Sequence, residues 1–299
     1  MPRICAPYIG MENIIKNEPL PGARFNPLND YLFYKVMGEK GAEKQLLGFL
    51  NAVLGRSGKK PISDIQIMEN KIIAADIKNG KSCVLDVRAS LEDGTKLNVE
   101  VQLCNEYNMD RRSLFYWSRI YTEGIERGQD YLLLPNVIVI NIVDYDFPAG
   151  GKFHTCFHLR EDTEPDLILT PALEIHFINM VKWRRIEYNK DNLNDPLHRW
   201  LIWLNEKSPK ELIEEVINMD NSIMAASERQ DMVTQDRDER DMYLRRQMAI
   251  LDYNSGMNGA MREGIQKGHK ELSNEVLELI NQGLSTEEIK SYLEKKTNN

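Results

Sequence analysis

The segment from Cys83 to Leu103 limits the fold more than any other part of the chain. LNVEVQL alternates cleanly, with Leu97, Val99, Val101 and Leu103 on one face and Asn98, Glu100 and Gln102 on the other. CVLDVRA precedes it across Glu92-Asp93-Gly94. If Asp93-Gly94 were a two-residue turn, Asp86 would face Val101 and the apolar sets would conflict. A three-residue loop, a type I turn closed by a left-handed Gly94, pairs Ala89 with Leu97, Val87 with Val99, Leu85 with Val101 and Cys83 with Leu103. One face becomes wholly apolar, and a one-residue slip would destroy it. On the opposite face the same register sets Asp86 across from Glu100, with Gln102 beside Val84.

The flanking segments supply the rest of a layered α/β core. Residues 1–25 read as an irregular arm. A helix is expected from an N-cap at Asn29 or Asp30, interrupted at Gly38 and Gly41, with Leu46, Leu47, Leu50, Val53 and Leu54 on one stripe before Gly55. DIQIM near Ile65 reads as a strand. Tyr107 to Gly128 reads as an amphipathic helix with Leu114, Trp117, Tyr121 and Ile125 inward and Arg112 and Arg119 on another face. VIVINIV after Pro135 is a continuous apolar run, the mark of a strand buried on both sides. Strand, helix and buried strand in this order suggest a crossover between parallel strands. Further strands are expected at 152–159 and 173–178.

From Lys182 the pattern is helical to the end. The charged stretch 228–247 reads as a solvated helix or an extended arm. SNEVLELINQGLSTEEIKSYL reads as two short helices split at Gly283, with Ser285 and Glu288 forming a capping box.

Charge narrows the partners. The net charge of −8 disfavours a protein that coats duplex DNA nonspecifically. The excess acid is local, however: residues 211–299 hold 11 basic and 18 acidic side chains, and residues 1–210 hold 27 and 28. The first two thirds are thus close to neutral and free to carry a basic groove. No apolar run approaches membrane-spanning length, and no signal peptide is evident, so a cytoplasmic chain is expected. Cys5, Cys83, Cys104 and Cys156 form no CxxC pair and read as free thiols.

Asp86, Glu100 and Gln102 are the strongest chemical constellation. Two carboxylates opposed across a hairpin repel unless a cation lies between them, and Mg²⁺, a hard ion ligated by oxygen, suits the pair. The Val101 carbonyl would add another oxygen. A metal held there would polarise a phosphodiester and lower the pKa of a bound water. The competing reading is an ordinary solvated polar face.

NPLNDYLFYK, VLDVRA, the DG turn, LNVEVQL, DRRSLFYWSRIYTEGIERGQDY and PNVIVINIVDYDF occur in that order. Together they resemble the recombination-promoting nuclease and transposase family of the PD-(D/E)XK nuclease superfamily. The resemblance spans about residues 25–185, and REGIQKGHKEL with GLSTEEI resembles that family's C-terminal part. It implies a restriction-endonuclease-like α/β core over 26–185, a central mixed sheet flanked by helices, followed by a helical region over 186–299. It further implies cleavage of DNA with Mg²⁺ or another divalent cation, in recombination or on mobile DNA. Position by position, Asp86 and Glu100 match the motif acids and would hold the metal. Gln102 takes the place usually held by lysine, and can orient water but carries no charge. Asp30 matches a further acidic position, and a plain N-cap explains it equally well. Arg111, Arg112 and Arg119 would contact phosphates, since a helix just after the catalytic strand lines the groove. The rival reading is an inactive nuclease fold serving as a DNA-binding or protein-interaction module. Assembly of copies through the helical tail is also expected.

His154, Cys156 and His158 alternate on one strand and suggest zinc. Three ligands on one flat strand span more than a tetrahedral ion accepts and no fourth is near in sequence, so strand polarity explains them better. Trp183, Trp200 and Trp203 read as core residues, and no phosphate-binding glycine loop, GxSxG or HExxH stretch occurs.

Overall fold

The computed structural model describes residues 24–68 and 87–297. Its sheet has six strands: β1 (Ile65–Met68), β2 (Val87–Leu91), β3 (Lys96–Gln102), β4 (Val137–Val143), β5 (His154–Phe157) and β6 (Leu173–Asn179). Their order is β1-β2-β3-β4-β6-β5. The β1, β2 and β3 strands pair antiparallel, β3, β4 and β6 pair parallel, and β5 returns antiparallel to β6.

The expected β2–β3 register is present where it is described: Val87 pairs with Val99 and Ala89 with Leu97. Gly94 has φ +83° and donates to the Leu91 carbonyl, while Leu91 donates to the Thr95 carbonyl. The Asp93 carboxylate caps the turn by accepting from the Thr95 amide at 2.9 Å. The expected pairings of Cys83, Leu85 and Asp86, and the place of Gln102 beside Val84, lie outside the described residues.

Strand β4 is buried along its whole length because both sheet faces are covered. Ile138, Ile140 and Ile142 join the larger core with Val87, Val99 and Val101, whereas Val137, Val139 and Val143 join a second core with Ile175 and Phe177. Helix α3 (Met109–Tyr121) closes the second core through Met109, Tyr116 and Ile120. This corrects the helix face read from sequence: Leu114 is exposed, and Arg112 lies on the flank of the buried stripe.

Helices cover the first face. Asn29, rather than Asp30, caps α1 (Asp30–Phe33) by accepting from the Tyr31 and Leu32 amides, and a wider five-residue π-turn, Tyr34–Gly38, continues it. Helix α2 (Glu43–Gly55) follows. After the short α4 (Met180–Trp183), α5 (Pro196–Leu204), α6 (Lys210–Met219) and α7 (Asn221–Gln235) pack into the same core, with Trp200 and Trp203 fully buried.

The chain divides into units Met1–Gln247 and Met248–Asn299, so the boundary expected at 185/186 falls inside the first. The stretch 228–247 is helical and mostly exposed, the solvated helix of the two expected forms, and it is docked rather than free: Arg229 bonds the Lys35 carbonyl at 2.6 Å, and Tyr243 is buried against Phe25. Helix α8 runs from Arg237 to Asn281, so the segment before Gly283 is the end of a long helix rather than a short one. Helix α9 (Thr286–Thr297) opens with the expected capping box, Ser285 and Glu288 bonding reciprocally. No described helix is long and apolar enough to cross a membrane.

Among the described glycines, Gly48 of α2 is the most crowded: a Cβ there would lie 2.1 Å from Ser222 Oγ and 2.4 Å from its Cβ. Gly48→Ala should therefore destabilise the protein by about 1–3 kcal/mol, since a packed backbone pair must separate. Gly55→Ala, with nothing within 4 Å of the added carbon, should stay within about 0.5 kcal/mol of wild type. Urea unfolding midpoints at unchanged slope would measure both.

Candidate active site

Strand alternation decides which side chains meet beneath α3. Glu100 of β3 is flanked by Asn141 of β4 in the parallel ladder, and Asn98 is flanked by Arg88 of β2. Pleating points all four to the α3 side, opposite Val99 and Val101. A solvated polar face is thereby ruled out: Glu100 and Arg88 are each only 2% exposed, and Asn98 and Asn141 are fully buried.

Burying these groups demands partners. Asn98 Nδ2 donates to Glu100 Oε1 at 2.9 Å. Asn141 Nδ2 donates to the His176 carbonyl at 3.1 Å. Arg88 makes a forked ion pair with Glu123, just past the end of α3, which ties the helix to β2. The amide oxygens of Asn98 and Asn141 are buried with no hydrogen-bond partner among the described residues. The Glu100 carboxylate and these two open amide oxygens are hard oxygen donors buried on one sheet face, the chemistry that suits a hard divalent cation.

The remaining expected residues take different places. Gln102 sits at the end of β3, partly exposed, its Nε2 donating to the Cys104 carbonyl at 3.0 Å. The Gln102 carbonyl accepts from Asp144 on the β4 side, so alternation turns the Val101 carbonyl toward the β2 side, while its side chain enters the larger core. Asp86 lies outside the described residues. Asp30, in the first turn of α1, accepts from the Tyr31 amide and pairs with Arg246 at 3.8 Å. Its helix buries Leu32 and Phe33 in the core on the other face of the sheet.

Arg112 is the cation that reaches the Glu100 end of the sheet. Its Nε donates to the Tyr116 hydroxyl at 2.7 Å, and its Nη1 lies 3.8 Å from Glu106. Burial works to lower its pKa, but Tyr116, Glu100 and Glu106 outweigh that and hold it above its ordinary value. The same crowding appears at Tyr145, whose pKa burial raises to about 12, against the opposing pull of Arg112. Arg119 lies two turns along the same helix flank, partly exposed, and Arg111 is exposed. The residues missed from sequence are Arg88, Asn98 and Asn141. Their signal was present: Arg88 stands two residues after Asp86, and Asn141 is the one polar residue in VIVINIV.

Searches of curated proteins and of solved structures return no match. The family model of the PD-(D/E)XK nuclease family transposases matches residues 27–260. The match takes in every described strand and the helices on both faces. With a mixed sheet that carries a buried acid on its third strand, the chain belongs to the PD-(D/E)XK nuclease family transposases.

Proposed function

We propose that this protein is a divalent-metal-dependent DNA endonuclease acting in recombination or on mobile DNA, with Asp86, Glu100 and Gln102 at its active site. The observation that carries the reading is the Glu100 carboxylate, 2% exposed on the same sheet face as two buried amide oxygens that no described residue partners. Asp86 and Glu100, with the Val101 carbonyl, would hold the cation, without Asp30, whose helix packs on the other face of the sheet. When bound, Mg²⁺ or another divalent ion polarises the phosphodiester and strengthens water as a nucleophile.

The protein's own side chains do the rest. Gln102, its Nε2 occupied by the Cys104 carbonyl, keeps an amide oxygen to accept from and orient the attacking water. It cannot stabilise developing charge as a lysine would. Arg112 supplies the missing charge: the Tyr116 hydroxyl steadies its guanidinium near Glu100, where it can pair with a phosphate oxygen. Arg111 and Arg119 extend the cationic flank of α3 along the nucleic-acid backbone.

Assembly of copies through the second unit is part of the same reading. Met257, Met261, Ile265 and Leu272 recur at helical spacing and are each at least 45% exposed, an apolar stripe of the kind that pairs with itself.

In plasmid cleavage with Mg²⁺, Asp86→Ala and Glu100→Ala should each lose roughly two to four orders of magnitude in rate, the several kcal/mol that metal-assisted chemistry provides. Wild-type activity in Asp86→Ala would sink the site assignment. Mg²⁺ should raise the melting temperature of wild type and not of Glu100→Ala; no shift in either favours the inactive-module alternative. Arg111→Ala should weaken DNA binding about equally across sequences and reduce the salt slope by about one. Sedimentation should show Ile265→Asp shifting assembled protein toward monomer, and an unaltered distribution removes the stripe from the assembly.

A further inference from the structure

The sheet face opposite Glu100 carries a second cluster that the nuclease reading does not use. Cys156 of β5 lies directly across from His176 of β6. Continuing that antiparallel register one pair further sets His158 across from Glu174. Two strands therefore contribute two side chains each, a two-by-two arrangement on one face. Phe177 shares its face with Asn141 and Glu100 in the parallel ladder, so Glu174 and His176 point the other way.

The donor atoms converge. Cys156 Sγ lies 3.6 Å from His176 Nε2 and 4.0 Å from His158 Nε2. His158 Nε2 lies 3.5 Å from Glu174 Oε2. Zinc bonds of about 2.0–2.3 Å at tetrahedral angles put donor atoms about 3.3–3.6 Å apart, so small side-chain shifts bring Cys156, His158 and Glu174 onto one ion. One strand alone cannot wrap an ion; the missing ligand comes from the neighbouring strand.

We propose that Cys156, His158 and Glu174 form a zinc site, with His176 as the positioning residue that holds Glu174. His176 Nε2 hydrogen-bonds Glu174 Oε1 at 2.7 Å, and its Nδ1 meets His154 Nε2 at 3.0 Å. This is the chain of outer partners that orients a metal ligand. Three protein ligands leave a fourth position for water or an anion. The adjoining cleft of about 440 Å³ is lined by Cys156 and His158 of the cluster together with Arg56, Lys152 and Arg160, so its lining favours an anion. Thiolate, imidazole and carboxylate together select a borderline ion over Mg²⁺.

Lys59 is the built-in competitor. Its Nζ lies 2.6 Å from Glu174 Oε2, and its side chain is 39% exposed. In the metal-free protein the ammonium neutralises Glu174, and zinc must displace it into solvent.

The test uses full-length protein stripped with chelator and loaded with Co²⁺, a spectroscopic stand-in for Zn²⁺. A cobalt–thiolate charge-transfer band should saturate at one ion per chain in wild type, Cys104→Ala and Glu100→Ala, and vanish in Cys156→Ala. Because Cys156→Ala alone could unsettle β5, Zn²⁺ titration of Lys59→Met provides the second arm: removing the competitor should tighten binding roughly tenfold or more, about 1.4 kcal/mol. No band in wild type, a band surviving Cys156→Ala, or zinc affinity unchanged in Lys59→Met would each overturn the assignment.

Discussion

The turn at Glu92–Gly94 governs the molecule, because the register it sets between β2 and β3 decides which face every residue of the hairpin presents. Gly94 adopts φ +83°, a conformation glycine enters without steric cost, and the Leu91 and Thr95 hydrogen bonds close the loop around it. One residue more or fewer would exchange the faces of β2, carrying Arg88 into the apolar core and Val87 and Ala89 beneath α3. The parallel ladder then transmits the choice from β3 to β4 and β6.

That choice creates a buried polar layer, which a core does not hold without a strong reason. Asn98, Glu100, Asn141 and Arg88 are all at most 2% exposed. Apolar residues of similar volume would remove the cost of burying them. Their hydrogen bonds satisfy the layer only in part, leaving two amide oxygens open beside a carboxylate. Stability is given up where oxygen donors are gathered. Arg88 and Glu123 offset part of the cost by pinning α3 over the layer, and that same helix carries Arg112 to Glu100.

The two sheet faces thus bear different chemistry with one architecture. Beneath α3 the donors are oxygens and the Arg112 guanidinium faces Glu100. On the other face, at the β5 edge, the donors are sulfur, imidazole and carboxylate, with Lys59 closing on them. Strand alternation separates the sets, since Glu174 and Phe177 of one strand cannot share a face.

Local periodicity was enough to read the strands, the hairpin register, the Asn29/Asp30 helix start and the Ser285–Glu288 capping box, because each depends on residues only a few positions apart. The resemblance to a nuclease family came from the order of such segments. What periodicity misread were matters of surroundings. Glu100 looks like a solvated acid until α3 covers it, and the buried side of α3 runs through Met109, Tyr116 and Ile120 rather than Leu114. The stretch 228–247 reads as either a solvated helix or an arm until Arg229 and Tyr243 dock the helix on the N-terminal helix and its approach. Cys156 and His158 look like strand polarity until β6 brings Glu174 and His176 beside them. Alternation along a strand is written in the chain itself; burial, and the company a side chain keeps across strands, depend on contacts distant in sequence, and those only the tertiary structure decides.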